Sequence, residues 1–112
     1  MAGTFRSTRD FIIRTEAWEQ AARFYGSVLG FPVEQHSETL VAFETGALRL
    51  YVERGNGHGP VFEFLVPDIQ AANLRLLSAG CTIEEENASV PRCYIRDPYG
   101  VVFNIAQAPA ES

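Results

Sequence analysis

Gln20-Ala21-Ala22-Arg23-Phe24-Tyr25-Gly26-Ser27-Val28-Leu29-Gly30 returns fifty residues later as Gln70-Ala71-Ala72-Asn73-Leu74-Arg75-Leu76-Leu77-Ser78-Ala79-Gly80. Gln-Ala-Ala is repeated outright, Phe24 meets Leu74, and Gly30 meets Gly80. At the same spacing Val33-Glu34 meets Ile83-Glu84. Several matches at one offset indicate an internal duplication. Two copies make a pseudo-symmetric domain, not a solenoid.

Outward from this stretch, each copy reads alike. An apolar run rich in β-branched and aromatic residues precedes it, Phe11-Ile12-Ile13 and then Val61-Phe62-Glu63-Phe64-Leu65-Val66. The stretch itself is an amphipathic helix: Ala17, Ala21, Phe24 and Tyr25 share a side in the first copy, with Val28 and Leu29 beyond, and Ile69, Ala72, Leu76 and Leu77 do so in the second. Gly30 and Gly80 stand where C-terminal cap glycines belong. Pro67-Asp68 supplies a cap at the start of the second helix. A short strand follows each glycine, near Val33 and Ile83. Leu40–Glu44 and Ala47–Glu53 complete the first copy, and Arg92–Arg96 and Val101–Ala106 the second. Thr45-Gly46 and Asp97-Pro98-Tyr99-Gly100 are the turns between them, the latter with Pro and Gly in β-turn positions. The pattern is β-α-β-β-β, twice: about 8–54, a glycine-rich link at 55–60, and about 61–107, all in one domain over residues 1–112.

Alternation assigns the strand faces. Phe11, Ile13, Leu48, Leu50, Val52, Phe62, Phe64, Val66, Cys93, Ile95, Val101, Phe103 and Ile105 are expected under the helices. The opposite face carries Ile12 and Arg14; Arg49, Tyr51 and Glu53; Val61, Glu63 and Leu65; Arg92 and Tyr94; Val102 and Asn104. Apolar walls with a few polar groups suit a small-molecule pocket. An ordinary solvated sheet face carries the same mixture. Trp18 is expected at an edge or dimer contact, not among the pocket residues.

The bulk numbers narrow the function. The chain has 112 residues, enough for one core. A net charge of −5 argues against a nucleic-acid partner. Cys81 and Cys93 are the only cysteines and read as small buried hydrophobes. The first residues, Met1 to Arg6, hold no apolar core of signal-peptide length, and no stretch approaches the ~20 apolar residues of a membrane helix. The expectation is a cytoplasmic protein without a membrane partner, ending in a short loose tail from Ala108 to Ser112.

Ala21-Ala22-Arg23-Phe24-Tyr25 with Leu29-Gly30-Phe31, then Val66-Pro67-Asp68-Ile69-Gln70-Ala71-Ala72, then Ile95-Arg96-Asp97-Pro98-Tyr99-Gly100, resemble the vicinal oxygen chelate superfamily in order and spacing. That superfamily holds glyoxalase I, bleomycin-resistance proteins, fosfomycin-resistance enzymes and extradiol dioxygenases. The resemblance runs from Asp10 to Gln107. It implies an α+β fold in which two βαβββ repeats form a cup-shaped open barrel, commonly in a homodimer. It also implies, for the enzymes, a divalent metal held by His and Glu side chains at the start of the first strands and on the last strands.

Those ligand positions fall here at Asp10, Val61 and Asn104. A carboxylate, an isopropyl group and a neutral amide make a poor metal site, so no metal and no cofactor is expected. His36 and His58 read as solvated loop histidines. Asp10 with Glu63 would suit only a weak hard-cation site. The expected ligand-binding set is Arg14, Arg49, Tyr51, Glu63, Tyr94 and Asn104, and the resemblance matches Arg49 and Tyr94 to substrate-touching positions of the fosfomycin-resistance branch. The arginines suit a carboxylate or phosphate, and the tyrosines a planar or apolar ligand. Glu63 could pair with Arg14 or Arg49, a reading preferred to catalysis, or bind a ligand amine. The function expected is binding of a small organic molecule, as in antibiotic or metabolite sequestration. The alternatives are an enzyme of this superfamily (a lyase, isomerase, dioxygenase or thiol transferase) with atypical metal ligands or with Glu63 or Tyr94 moving a proton, and a dimeric interaction module.

Overall fold

A computed structural model of the chain describes residues 5–87 and 92–109. The chain forms two compact units: Arg9–Val61 is one, and the chain from Phe62 together with the residues ahead of Arg9 is the other. The elements are β1 (Arg6–Thr15), α1 (Trp18–Arg23) continued by a π-helical turn (Phe24–Val28), β2 (Val33–His36), β3 (Leu40–Glu44), β4 (Arg49–Arg54), β5 (His58–Val66), α2 (Ile69–Ser78), β6 (Thr82–Asn87), β7 (Arg92–Arg96) and β8 (Val102–Gln107). This is the α+β fold of two βαβββ repeats that the sequence implies. No helix among the described residues is long and apolar enough to cross a membrane.

In the first unit the strands run in the order β2-β3-β4-β1, and in the second β6-β7-β8-β5. The first strand of each repeat lies parallel to its last, β1 to β4 and β5 to β8, while the inner pairs are antiparallel. Parallel partners need a long crossover, which here comprises the helix and the two intervening strands. The duplication extends to an irregularity. The β2–β3 register slips between Val33 and Gln35, and the β6–β7 register slips between Ile83 and Glu85. The extra residues are Glu34 and Glu84, the pair matched in the repeat. A bulge of this kind re-aims a side chain.

Helix ends follow their local chemistry. Asp68 Oδ1 accepts from the backbone N–H groups of Gln70 and Ala71 at 3.0 and 3.3 Å. Gln107 secures the same end, accepting from Ile69 N at 3.1 Å and donating to the Pro67 carbonyl at 3.0 Å. Gly30 (φ 78°) and Gly80 (φ 99°) take the left-handed conformation after the helices. The turn after β7 closes with Gly100 N donating to Asp97 O at 3.1 Å, while Asp97 Oδ1 accepts from Tyr99 N and Val101 N, both at 2.9 Å.

Each unit has its own core. Under α1, Trp18, Val41, Phe43, Leu50 and Val52 are buried, with Phe11, Ile13, Ala21, Ala22, Tyr25 and Phe31 packed against them. Under α2 lie Val66, Ala72, Cys81, Cys93, Ile95 and Ile105, flanked by Phe5, Ile69, Leu76 and Phe103.

Four expectations need correction. Trp18 is a core residue and not an edge contact: the helix begins at Trp18, so its buried stripe is Trp18, Ala21, Ala22 and Tyr25. That shift leaves Ala17, Phe24, Val28 and Leu29 exposed. Phe62 and Val101 are 42% and 53% exposed, not core. Val101 belongs to the turn, one residue before β8. Phe62 lies in the middle of β5 and outside the cluster of side chains packed under α2. Leu77 is likewise exposed on the outer side of α2. The tail is tied down where it starts, since Ala108 N donates to Val66 O at 2.7 Å; residues 110–112, like 1–4, lie outside the described residues.

Replacing the Asp68 cap tests the second unit's local design. Asp68→Ala removes the acceptor of two helix N–H groups and is expected to cost about 1 kcal/mol, read as a lower urea midpoint at unchanged slope.

Candidate functional site

In the unit Arg9–Val61, parallel register sets Asp10 beside Arg49, Ile12 beside Tyr51 and Arg14 beside Glu53. Arg49 and Tyr51 are two apart on one strand and share a face. Arg49 Nη1 donates to the Tyr51 hydroxyl at 2.8 Å, and Arg49 Nε donates to Glu34 Oε1 at 2.8 Å. The guanidinium carbon stands 5.8 Å from the Tyr51 ring centroid. The bond to Tyr51, and next the one to Glu34, hold the Arg49 guanidinium above its usual range, so it stays charged at any working pH. Both partners of the ion pair remain about one-third exposed, so its Coulomb energy is heavily screened by solvent.

Arg14 sits apart from this pair, at the far end of β1. Its Nε is 3.8 Å from Glu53 Oε1, and its side chain is 11% exposed. The guanidinium packs against Gly55, where a Cβ would come within 3.0 Å of Nε. A side chain at position 55 would therefore displace Arg14. Beside it Ile13, Arg14, Thr15, Gly57, Gly59 and Pro60 line an open hollow of about 410 Å³.

In the unit that begins at Phe62, one row of side chains crosses four strands in register: Glu63 beside Asn104, Asn104 opposite Tyr94, and Tyr94 opposite Glu85. Tyr94 is fully buried and Asn104 is 4% exposed. A solvated sheet face, one of the two readings of the alternation, does not describe these positions. Asn104 Oδ1 accepts from the backbone N–H of Cys93 at 2.8 Å, and its Nδ2 donates to Glu63 Oε2 at 3.1 Å. The Cys93 N–H fixes the orientation of the amide, because only the oxygen can accept from it. Arg92 donates to Glu85 Oε2 at 3.2 Å and lies 5.4 Å from the Tyr94 ring centroid.

The structure thus joins Arg49 to Tyr51, and Glu63 to Asn104 with Tyr94 next in the row. Glu63 is engaged by Asn104, while Arg49 pairs with Glu34 and Arg14 lies against Glu53. Three participants were absent from the expected set: Glu34, Glu85 and Arg92. Arg92 shares the alternation of Tyr94, and Glu34 is the bulged residue marked by the repeat. Those two signals were present in the sequence.

The superfamily's metal does not fit the residues at the inherited positions. Val61 is an isopropyl group, 1% exposed. Asn104 is a neutral amide, lacking the charge of a carboxylate ligand, and its oxygen is held toward the Cys93 N–H. Among the described residues, no three His, Cys, Asp or Glu side chains gather as a metal would require. His36 is exposed at the end of β2, and the side chain of His58 lies outside the described residues. The thiols of Cys81 and Cys93 are buried, which pushes both up in pKa, Cys93 further through Glu86. Both therefore stay protonated and unreactive near neutrality.

A duplicated βαβββ chain with a polar sheet row in each repeat defines a class of fold that hosts several chemistries. The chain belongs to the glyoxalase-like domain family, which matches residues 10–106, and through it to the vicinal oxygen chelate superfamily. Among solved structures it is similar to a glyoxalase/bleomycin resistance protein/dioxygenase superfamily member from Vibrio splendidus, at 19% identity and TM-score 0.66, covering 94% of this chain and all of that one. It is similar to methylmalonyl-CoA epimerase from Mycobacterium tuberculosis at 16% identity and TM-score 0.64, covering 97% and 93% of the two chains. It also matches homoprotocatechuate 2,3-dioxygenase from Brevibacterium fuscum at 18% identity and TM-score 0.65, with the whole of this chain spanning 40% of the dioxygenase. At these identities the likeness is one of fold. No curated protein matches the chain in sequence.

The amide at position 104 gives a direct test. Asn104→Ala leaves the buried Cys93 N–H without its acceptor and is expected to destabilise by about 1–3 kcal/mol in urea unfolding. Asn104→Asp sets a second carboxylate against Glu63, so its penalty should be larger at neutral pH and shrink as the pH falls through the carboxylate range.

Proposed function

We propose that this glyoxalase-like chain binds a small organic molecule without a metal ion, through the polar side chains on the sheet faces of its two repeats. Arg49 and Tyr51 contribute a permanent cation beside an aromatic ring, suited to a planar ligand with a carboxylate or phosphate. Glu63, Asn104 and Tyr94 contribute an aligned acceptor, a buried amide and a buried ring. Arg14 is a further cation for an acidic group. The observation that carries the reading is the state of Asn104: at the place where the superfamily's enzymes put a charged ligand, this chain has a buried neutral amide held between a backbone N–H and Glu63. That arrangement supports recognition and not metal coordination.

A screen of organic acids by thermal shift tests the reading, because a ligand that binds only the folded state raises its melting temperature. Hits are expected with metal-stripped protein, and Arg49→Ala should weaken the acidic ones by roughly tenfold, the value of one charge-assisted contact. Stoichiometric transition metal retained by purified protein, with hits that vanish on its removal, is the opposite result.

One observation favours a second, catalytic reading. The half-buried Glu63 carboxylate is oriented by the Asn104 amide, as a general base needs to be. On this reading a bound acid with an exchangeable C–H would incorporate deuterium from heavy water, and Glu63→Gln would abolish the exchange while leaving binding in place. A homodimer belongs to the same proposal. It is supported by the exposed Phe24, Val28, Leu29, Leu74 and Leu77, and sedimentation should then give twice the 12.4 kDa chain mass.

A further inference from the structure

The helix side of the first unit holds a groove that the reading above does not use. Its walls are α1 with the π-helical turn on one side and the β2–β3 hairpin on the other, and it encloses about 480 Å³. That volume falls within the range of small-molecule sites. Trp18 and Phe43 are both buried core residues that line it, and Phe31, Val33 and Val41 extend the apolar surface. Gly26 belongs to the wall: a Cβ there would come within 3.2 Å of the Phe43 ring. Glycine lets the ring and the helical turn approach closely. The turn is π-helical, a distortion that recurs at functional sites.

The polar side chains at the groove besides Ser27 are Glu19, Arg23 and His36. Glu19 and Arg23 are four residues apart on one helix, the spacing that commonly pairs them, yet among the described residues Arg23 has no ion-pair partner. By contrast Arg9, Arg49, Arg92 and Arg96 each meet a glutamate within 3.2 Å. The groove therefore combines an apolar wall with a guanidinium at its border that makes no ion pair among the described residues. We propose that it is a second small-molecule site, for a planar aromatic carboxylate whose ring lies over Phe31 and Val33 beside the accessible edge of Trp18 and whose acid group meets Arg23. This site is separate from the sheet-face residues, and its test is separate too.

Trp18 is the only tryptophan in the chain, so its emission reports this groove alone. Nitrobenzoate and the uncharged nitrobenzamide quench indole on contact and differ only in the charged group. Nitrobenzoate is expected to quench Trp18 saturably and to bind roughly fivefold to tenfold more tightly than the amide, the margin of one charge-assisted contact. Arg23→Gln should bring the acid down to the level of the amide. Ser27→Phe and Val33→Phe, at two exposed wall positions, should each abolish saturable quenching by both compounds, with circular dichroism and melting temperature confirming the fold. Arg49→Ala, which lies outside the groove lining, should leave the saturable quenching of Trp18 in place. Non-saturating quenching, equal affinity for acid and amide, saturable quenching that survives both filling substitutions, or loss of quenching in Arg49→Ala would each overturn the assignment.

Discussion

Each repeat is organised by the parallel pairing of its first strand with its last. Parallel neighbours cannot be joined by a tight turn, and the chain between β1 and β4, or between β5 and β8, is the helix and the two inner strands. The same pairing decides which side chains meet. It sets Asp10 beside Arg49 and Glu63 beside Asn104, residues about forty positions apart in the chain. One helix then covers one face of each set of strands, and the other face is left to carry polar groups.

The two repeats have used that opportunity differently. By the pairing register, Ile12, Tyr51 and Ala42 occupy one row in the first unit, where Glu63, Asn104 and Tyr94 occupy the matching row in the second. The first row is mostly apolar, with its polarity displaced to the Arg49–Glu34 pair nearby. The second is polar and buried, and such a row is stable only when its members satisfy one another. Asn104 does this for two neighbours at once, a backbone N–H and a carboxylate. Position 104 thereby serves local structure, with a neutral amide where the resemblance places a charged metal ligand.

The fold was legible because each repeat states it independently. Duplicated Gln-Ala-Ala, the cap glycines and the Asp68 and Asp97 turns agree with one another, and local agreement of this kind marks a sequence that specifies one structure. The face assignments held where a helix lay above the strand, as at Leu50, Val52, Ile95 and Ile105. They failed at Val101, which precedes the first residue of β8, and at Phe62, which stays exposed in the middle of β5. The phase of α1 was misread because periodicity alone does not fix its first residue, and the π-helical turn then shifts the later positions.

Sequence by itself determined the duplication, the order of the elements, the helix caps and the chemical identity of the residues at the metal positions, since these follow from local propensity and from side-chain type. Tertiary structure alone decided which charges pair. Glu34 reaches Arg49 through a bulge, Glu63 meets Asn104 and not an arginine, and Trp18 enters the core while its neighbour Arg23 borders an open groove. Those outcomes depend on strand register and on helix length relative to the sheet. Both are set by packing between segments distant in the chain, which no local pattern encodes.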